Sequence, residues 1–166
     1  INPCSNGGKQ RKLAQCKATD VVLTLLQEAR EAGVPAQHVL FDSWFCSPVS
    51  LHQIHELGYD VIARVKKNEK LHFCFQGFVQ DVKAIYRSQK RRRGRSAYLL
   101  SVEAEAVKDG KNLPVRLVYV RNKNESSDYL VLVSTDLTLS EEEIIQAYGK
   151  RWNIKVFFKM CKSYLK

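Results

Sequence analysis

The 166-residue chain is long enough for one domain with a true hydrophobic core and too short for several. Its 27 Lys and Arg against 17 Asp and Glu give a net charge of +10, a field that favours polyanionic partners such as nucleic acid or an acidic membrane surface. No apolar run approaches the roughly 18 residues of a bilayer span and no signal-peptide pattern is seen, so a cytoplasmic protein is expected.

The chain opens on Ile1, and INPCSNGGKQ reads as a loop that starts in mid-protein, so a fragment is expected. Cys4, Cys16, Cys46, Cys74 and Cys161 are odd in number and far apart. Without a C-x-x-C pair they predict reduced, partly buried thiols rather than a zinc ribbon or a disulfide framework. Thr19 or Asp20 is placed to cap a helix that carries Val21, Val22, Leu25, Leu26 and Ala29 on one side and closes at Gly33 and Pro35.

HVLFDSW, residues 38–44, is a short apolar run ending in a carboxylate. Ser47 and Pro48 then start a helix through Leu51, Ile54 and Leu57 to Gly58, and DVIARV, residues 60–65, reads as a second buried strand. Strand, helix, strand is a βαβ unit, whose functional groups sit at the carboxyl ends of its strands, where Asp42 falls. His52 and His55 lie three apart on that helix; with no further His or Cys nearby in sequence they read as a surface pair.

From Lys66 the pattern turns antiparallel. YLLSVEAEAV, LPVRLVYV and YLVLVSTD are β-rich runs separated by KDGKN and RNKNESS, both good turn chemistry. Before them lies KRRRGR, residues 90–95, five positive charges in six residues, readable as a solvated loop or as a phosphate-contacting one through Arg91, Arg92 and Arg93. The last helix opens on LSEEEI, where Ser140 and Glu143 form an S-x-x-E capping box. No G-x-x-x-x-G-K-[ST], G-x-G-x-x-G or G-x-S-x-G motif occurs.

On that last helix Tyr148, Arg151, Lys155 and Lys162 fall within about 60° of one another at 3.6 residues per turn. Trp152, Ile154, Val156, Phe157, Phe158, Met160 and Cys161 make the rest of the cylinder apolar. The stripe either faces a partner or site, or belongs to a core helix whose charged side chains reach out to water.

YGKRWNIKVFFKMCK matches the Y-x2-R-x3-E-x6-K signature of the DDE transposases of bacterial insertion sequences at Tyr148, Arg151 and Lys162, with Lys155 at the Glu position. FDSWFCSP resembles their segment carrying the second catalytic Asp, and YLVLVSTDLTLSEEEII their lead-in to the last helix. The resemblance implies an α/β fold: a partial RNase H-like core with a β-rich insertion before the C-terminal helix. Residues 1–66 would be core, 67–136 the insertion and 137–166 the C-terminal helix of the core.

It also implies a function, the cutting and joining of DNA at transposon ends. That chemistry is an in-line displacement in which two divalent ions about 3.5 to 4 Å apart stabilise the attacking and leaving oxygens. Hard cations take oxygen ligands, so Mg²⁺ or Mn²⁺ is implied, with Asp42 as a metal ligand and catalytic residue. Tyr148, Arg151 and Lys162 would lie near the phosphates. The implied partners are DNA, both transposon ends and target, and further copies of the intact enzyme; the implied location is the bacterial nucleoid.

The family's first Asp lies on an upstream strand, and Asp20, at a helix start, matches no strand end. Lys155 at the Glu position cannot coordinate a metal and would repel one. The chain as given is therefore expected to be inactive, with the Lys155 ammonium paired to Asp42 in place of the ion. The rival reading is a non-catalytic basic DNA-binding module derived from a transposase.

Overall fold

The computed structural model describes residues 17–94, 96–122, 125 and 128–151. The chain divides into two compact units, residues 1–35 and 36–166.

The described part of the first unit is helix α1, Ala18–Glu31. Lys17, not Thr19 or Asp20, occupies its N-cap position, and no side chain caps it. The helix starts a turn earlier than the polar residues suggest, which puts the Asp20 carboxylate in the first turn, where the amide ends of the helix favour negative charge. Val22, Leu23, Leu26 and Ala29 are half-buried, while Val21 and Leu25 are exposed.

The second unit is built on a seven-stranded mixed sheet. Strand β1 (His38–Phe41), helix α2 (Pro48–Glu56) and strand β2 (Asp60–Val65) form the expected βαβ unit, with β1 and β2 parallel and Leu40 opposite Ile62. Ser47 caps α2 by accepting a hydrogen bond from the Ser50 N–H at 3.1 Å, and Pro48 occupies the first turn.

Next come β3 (His72–Phe75), β4 (Phe78–Asp81) and helix α3 (Val82–Ser88), then the long strands β5 (Tyr98–Lys108) and β6 (Lys111–Arg121), and β7 (Tyr129–Ser134). Both tight hairpins place two successive residues at positive φ, Gln76 and Gly77 at 51° and 83°, Asp109 and Gly110 at 49° and 75°. This is the primed turn whose twist matches the flanking strands. Helix α4 covers residues 141–151 among those described. Its capping box forms as expected: Ser140 N–H and hydroxyl donate to Glu143 Oε2 at 2.8 and 2.7 Å, and Glu143 N–H returns a bond to Ser140 Oγ at 3.3 Å.

The strand order is β1-β2-β7-β6-β5-β3-β4, and every neighbouring pair except β1 and β2 is antiparallel. The β-rich run after β2 thus joins the same sheet as the βαβ unit, through β7 alongside β2. This mixed α/β architecture with four helices among the described residues is compatible with a partial RNase H-like core followed by β-rich structure and a final helix.

Strand alternation sorts the two faces. Ile62, Val118, Leu132 and Tyr98 point to one face and pack with Ile144 and Tyr148 of α4, with Leu40 at the margin. The opposite alternation gives Val61, Ala63, Val65, Leu117, Val131 and Val133, all buried, and α2 brings Leu51 and Ile54 as fully enclosed side chains. His52, expected at the surface, is only 6% exposed, and its Nε2 lies 2.7 Å from the Ala106 carbonyl oxygen. That contact satisfies a buried imidazole and ties α2 to β5.

Candidate nucleic-acid site at the strand ends

Two polar groups border the face that α4 covers. Period-two alternation puts His38, Leu40 and Asp42 on one side of β1, and Asp60, Ile62 and Arg64 on the same side of β2. The chain therefore has a polar residue at each end of both strands and an apolar one between. Four residues of strand separate Asp42 from His38, about 13 Å.

At the carboxyl end, Asp42 is held by a local turn: the Trp44 N–H donates to its Oδ1 at 2.9 Å. The β1–β2 register, Phe41 opposite Ala63, sets Asp42 level with Arg64. Tyr148 of α4, 7% exposed, closes over this end. Burial pushes its phenol up, the Arg151 and Arg64 charges pull it down and Asp42 pushes it up, so all four groups share one electrostatic neighbourhood. The Arg151 guanidinium lies 5.2 Å from the Tyr148 ring centroid. Beside them Trp44 is 54% exposed and carries the Lys66 ammonium 4.4 Å above its ring.

The structure thus brings together Asp42, Tyr148 and Arg151 and adds Arg64, which the sequence reading missed. The signal was available: in DVIARV, Arg64 alternates with the buried Ile62 and so shares its face. Lys155 and Lys162 lie outside the described residues. Among the described residues, this end offers a single carboxylate beside two guanidinium groups. That donor set suits a phosphate oxygen better than a divalent cation, which needs several oxygen ligands.

Arg91, Arg92 and Arg93 are exposed but are not a loose loop. The Arg92 N–H donates to the Leu99 carbonyl at 2.7 Å, and its guanidinium stacks 4.5 Å from the Tyr98 ring; Arg91 lies 5.0 Å from the Tyr86 ring. Gly94, at φ 89°, offers its carbonyl to Arg121 at 3.3 Å. Arg92 also shares the electrostatic surroundings of Tyr98 with Glu141 and Glu142. The basic run therefore sits near the start of α4, whereas Tyr148 and Arg151 lie near the end of its described part.

At the amino end of the strands, His38 Nε2 lies 2.9 Å from Asp136 Oδ2, and Asp136 Oδ1 accepts from the Thr138 N–H at 2.9 Å and hydroxyl at 2.6 Å. Asp136 is 7% exposed. Burial raises its carboxyl, but the bonds from Thr138 and His38 outweigh it and leave the group below the usual carboxylate range. Thr135 links the next strand: its hydroxyl donates to Asp60 Oδ1 and accepts from the Val61 N–H, both at 2.9 Å. His55 Nδ1 stands 3.6 Å from Asp60 Oδ1. Ligand atoms of His38, Asp60 and Asp136 all lie within 4.8 Å of one another. The sequence reading found none of this, because the partners come from segments up to 98 residues apart.

The two described cysteines, Cys46 and Cys74, are free thiols, as expected. Burial pushes Cys46, four residues beyond Asp42, up to about 12, so it stays protonated and is not a nucleophile at neutral pH. Among the described residues no helix is long and apolar enough to cross a membrane.

The sequence profile of a DDE superfamily endonuclease family matches residues 2–122, which includes the βαβ unit and Asp42. No curated protein matches the chain.

Proposed function

This chain belongs to the DDE superfamily endonuclease family, and from that premise we propose that it is the C-terminal part of a transposase catalytic domain that cuts and joins DNA at the ends of an insertion sequence. The family implies a DNA substrate and a divalent metal; Mg²⁺ or Mn²⁺ is the ion proposed, and an oligomer acting on two ends is the proposed working form. Residues 1–66 and 137–166 are read as core and 67–136 as insertion.

The observation that carries the reading is Asp42 at the carboxyl end of a parallel βαβ unit, sharing its surroundings with Tyr148, Arg151 and Arg64. In the proposed complex a phosphate beside the scissile bond rests against the two guanidinium groups, which neutralise its charge and fix its orientation. Tyr148, whose hydroxyl is itself buried, backs the Arg151 guanidinium against that phosphate. Asp42 would hold a divalent ion when the missing acids are supplied, and that ion would stabilise the charge on the displaced oxygen. Among the described residues the Asp42 end furnishes one carboxylate, where a divalent ion needs several oxygen ligands.

The chain is therefore proposed to bind DNA without cutting it, with Lys155 at the family's Glu position. The test is metal-dependent nicking by three proteins: the chain as given, Lys155→Glu, and Lys155→Glu with the upstream segment supplied. Only the third should nick DNA in Mg²⁺ or Mn²⁺. Nicking by the unmodified chain would show that the proposed inactivity is wrong.

The rival, a basic module that has lost its chemistry, is favoured by the arginine run pinned over Tyr86 and Tyr98. It predicts no nicking by any of the three proteins. Both readings predict salt-dependent duplex binding, with a log-log slope of about −0.9 per phosphate contacted. Changing Arg91, Arg92 and Arg93 to Ala should flatten that slope by about two to three. An unchanged slope removes the run from the DNA interface.

A further inference from the structure

We propose that His38, His55, Asp60 and Asp136 form a second divalent-metal site, suited to an ion such as Zn²⁺, at the end of the sheet away from Asp42. Two imidazoles and two carboxylates are borderline nitrogen and oxygen donors, a set that favours Zn²⁺ over Mg²⁺. Ligand atoms around a tetrahedral Zn²⁺ with bonds of about 2.0 to 2.1 Å stand about 3.3 Å apart. The His38–Asp136 pair at 2.9 Å and the His55–Asp60 pair at 3.6 Å bracket that spacing. The three atoms of His38, Asp60 and Asp136 within 4.8 Å need only small side-chain rotations to converge. His55, with its side chain 47% exposed, is free to swing in as the fourth.

The surroundings are those of a metal site. Asp136 keeps Oδ2 toward the cluster while Thr138 holds Oδ1 from behind, and the Thr135 hydroxyl holds Asp60 through Oδ1, the oxygen that also faces His55. Among the described residues no lysine or arginine forms an ion pair with Asp60 or Asp136. Two carboxylates without a Lys or Arg partner among the described residues leave a negative charge that a divalent ion would cancel. A His38 that ligates through Nε2 carries its single imidazole proton on Nδ1, so the contact between Nε2 and Asp136 Oδ2 gives way to a bond from each atom to the ion. The ion would join β1, the end of α2, β2 and the turn that leads from β7 into α4.

The test uses the metal-free chain titrated with Zn²⁺ by calorimetry and with Co²⁺ by absorption, without DNA, so that it stands or falls independently of the transposase reading. One equivalent should bind, Co²⁺ should develop tetrahedral d–d bands, and the melting temperature should rise. His38→Gln and His55→Gln should each weaken binding by about tenfold or more. Asp42→Asn should leave it unchanged. His55 is exposed enough to be replaced without loss of fold, which circular dichroism verifies for each variant. The proposal is overturned by absence of binding, by binding unaltered in both histidine variants, by loss of binding in Asp42→Asn, or by a thiolate-to-cobalt charge-transfer band that assigns the ion to cysteine.

Discussion

The two ends of the sheet face under α4 start from the same strands and are finished differently. At the amino end, His38, Asp60 and Asp136 spend their polar atoms on one another and on Thr135 and Thr138. At the carboxyl end, Asp42 accepts from the Trp44 amide and shares the electrostatic surroundings of Tyr148 with Arg64 and Arg151. The first arrangement gathers imidazoles and carboxylates; the second gathers guanidinium groups and a phenol around one carboxylate. A cluster of imidazole and carboxylate donors suits a cation, whereas one rich in guanidinium groups suits an anion such as phosphate.

The apolar layer between the ends should dominate stability. Ile144 is fully buried in the cluster that seats α4 on β2, β6 and β7. Ile144→Ala is expected to cost about 3 kcal/mol, through lost transfer energy and the cavity left behind. Urea unfolding measures it, and a loss below about 1 kcal/mol would mean that α4 is not held by this layer and cannot link the two ends.

Next in size is the amino end. Asp136→Asn keeps the shape but removes the charge that accepts from Thr138 and His38, at an expected cost of about 2 kcal/mol at neutral pH. The folded-state pKa of Asp136 lies below its unfolded value. Its contribution is thus complete above the unfolded pKa of about 3.9 and lost as pH falls through the folded value. Wild type and Asp136→Asn should differ in urea midpoint at pH 7 and converge in acid. A gap that persists unchanged into strong acid would show that the carboxylate charge is not what holds this end.

How far the sequence discloses these regions depends on the range of the interaction. The βαβ unit was legible because its signals are local: the Ser47–Pro48 start, the Gly58 stop and the apolar run DVIARV lie within the segment they define. The capping box at Ser140 was legible for the same reason. The β3–β4 hairpin and α3 escaped notice, since HFCFQGFVQ turns on Gln-Gly rather than the stronger Asn-Gly or Asp-Gly, and four-residue strands show little periodicity. Hairpin neighbours followed from turn chemistry, but the antiparallel pairing of β2 with β7 unites residues about seventy positions apart and leaves no local trace. The same holds for the candidate site. Asp42 follows from its strand end, Tyr148 and Arg151 from helical spacing and the motif that matches it, Arg64 requires the strand's facing, and His38 with Asp136 requires the completed sheet.

The smallest expected effect tests what the carboxyl end is for. If a phosphate lies among Arg64, Arg151 and Tyr148, then on a chain without a metal at that end the Asp42 carboxylate repels it. Two like charges about 6 Å apart at a surface dielectric between 20 and 80 interact by about 1 kcal/mol. Asp42→Asn should therefore tighten duplex DNA binding by about fivefold at low salt in the absence of divalent ions, and the gain should shrink as salt screens the repulsion. Fluorescence anisotropy with a labelled duplex reads this directly, and Asp136→Asn, at the amino end, serves as the control that removes the same charge from the other cluster. Equal tightening by both variants would reflect net charge alone, and weaker binding by Asp42→Asn would mean that Asp42 orients the cations rather than opposes the phosphate. Only selective tightening at Asp42 distinguishes the carboxyl end from the amino end as the place where DNA is held.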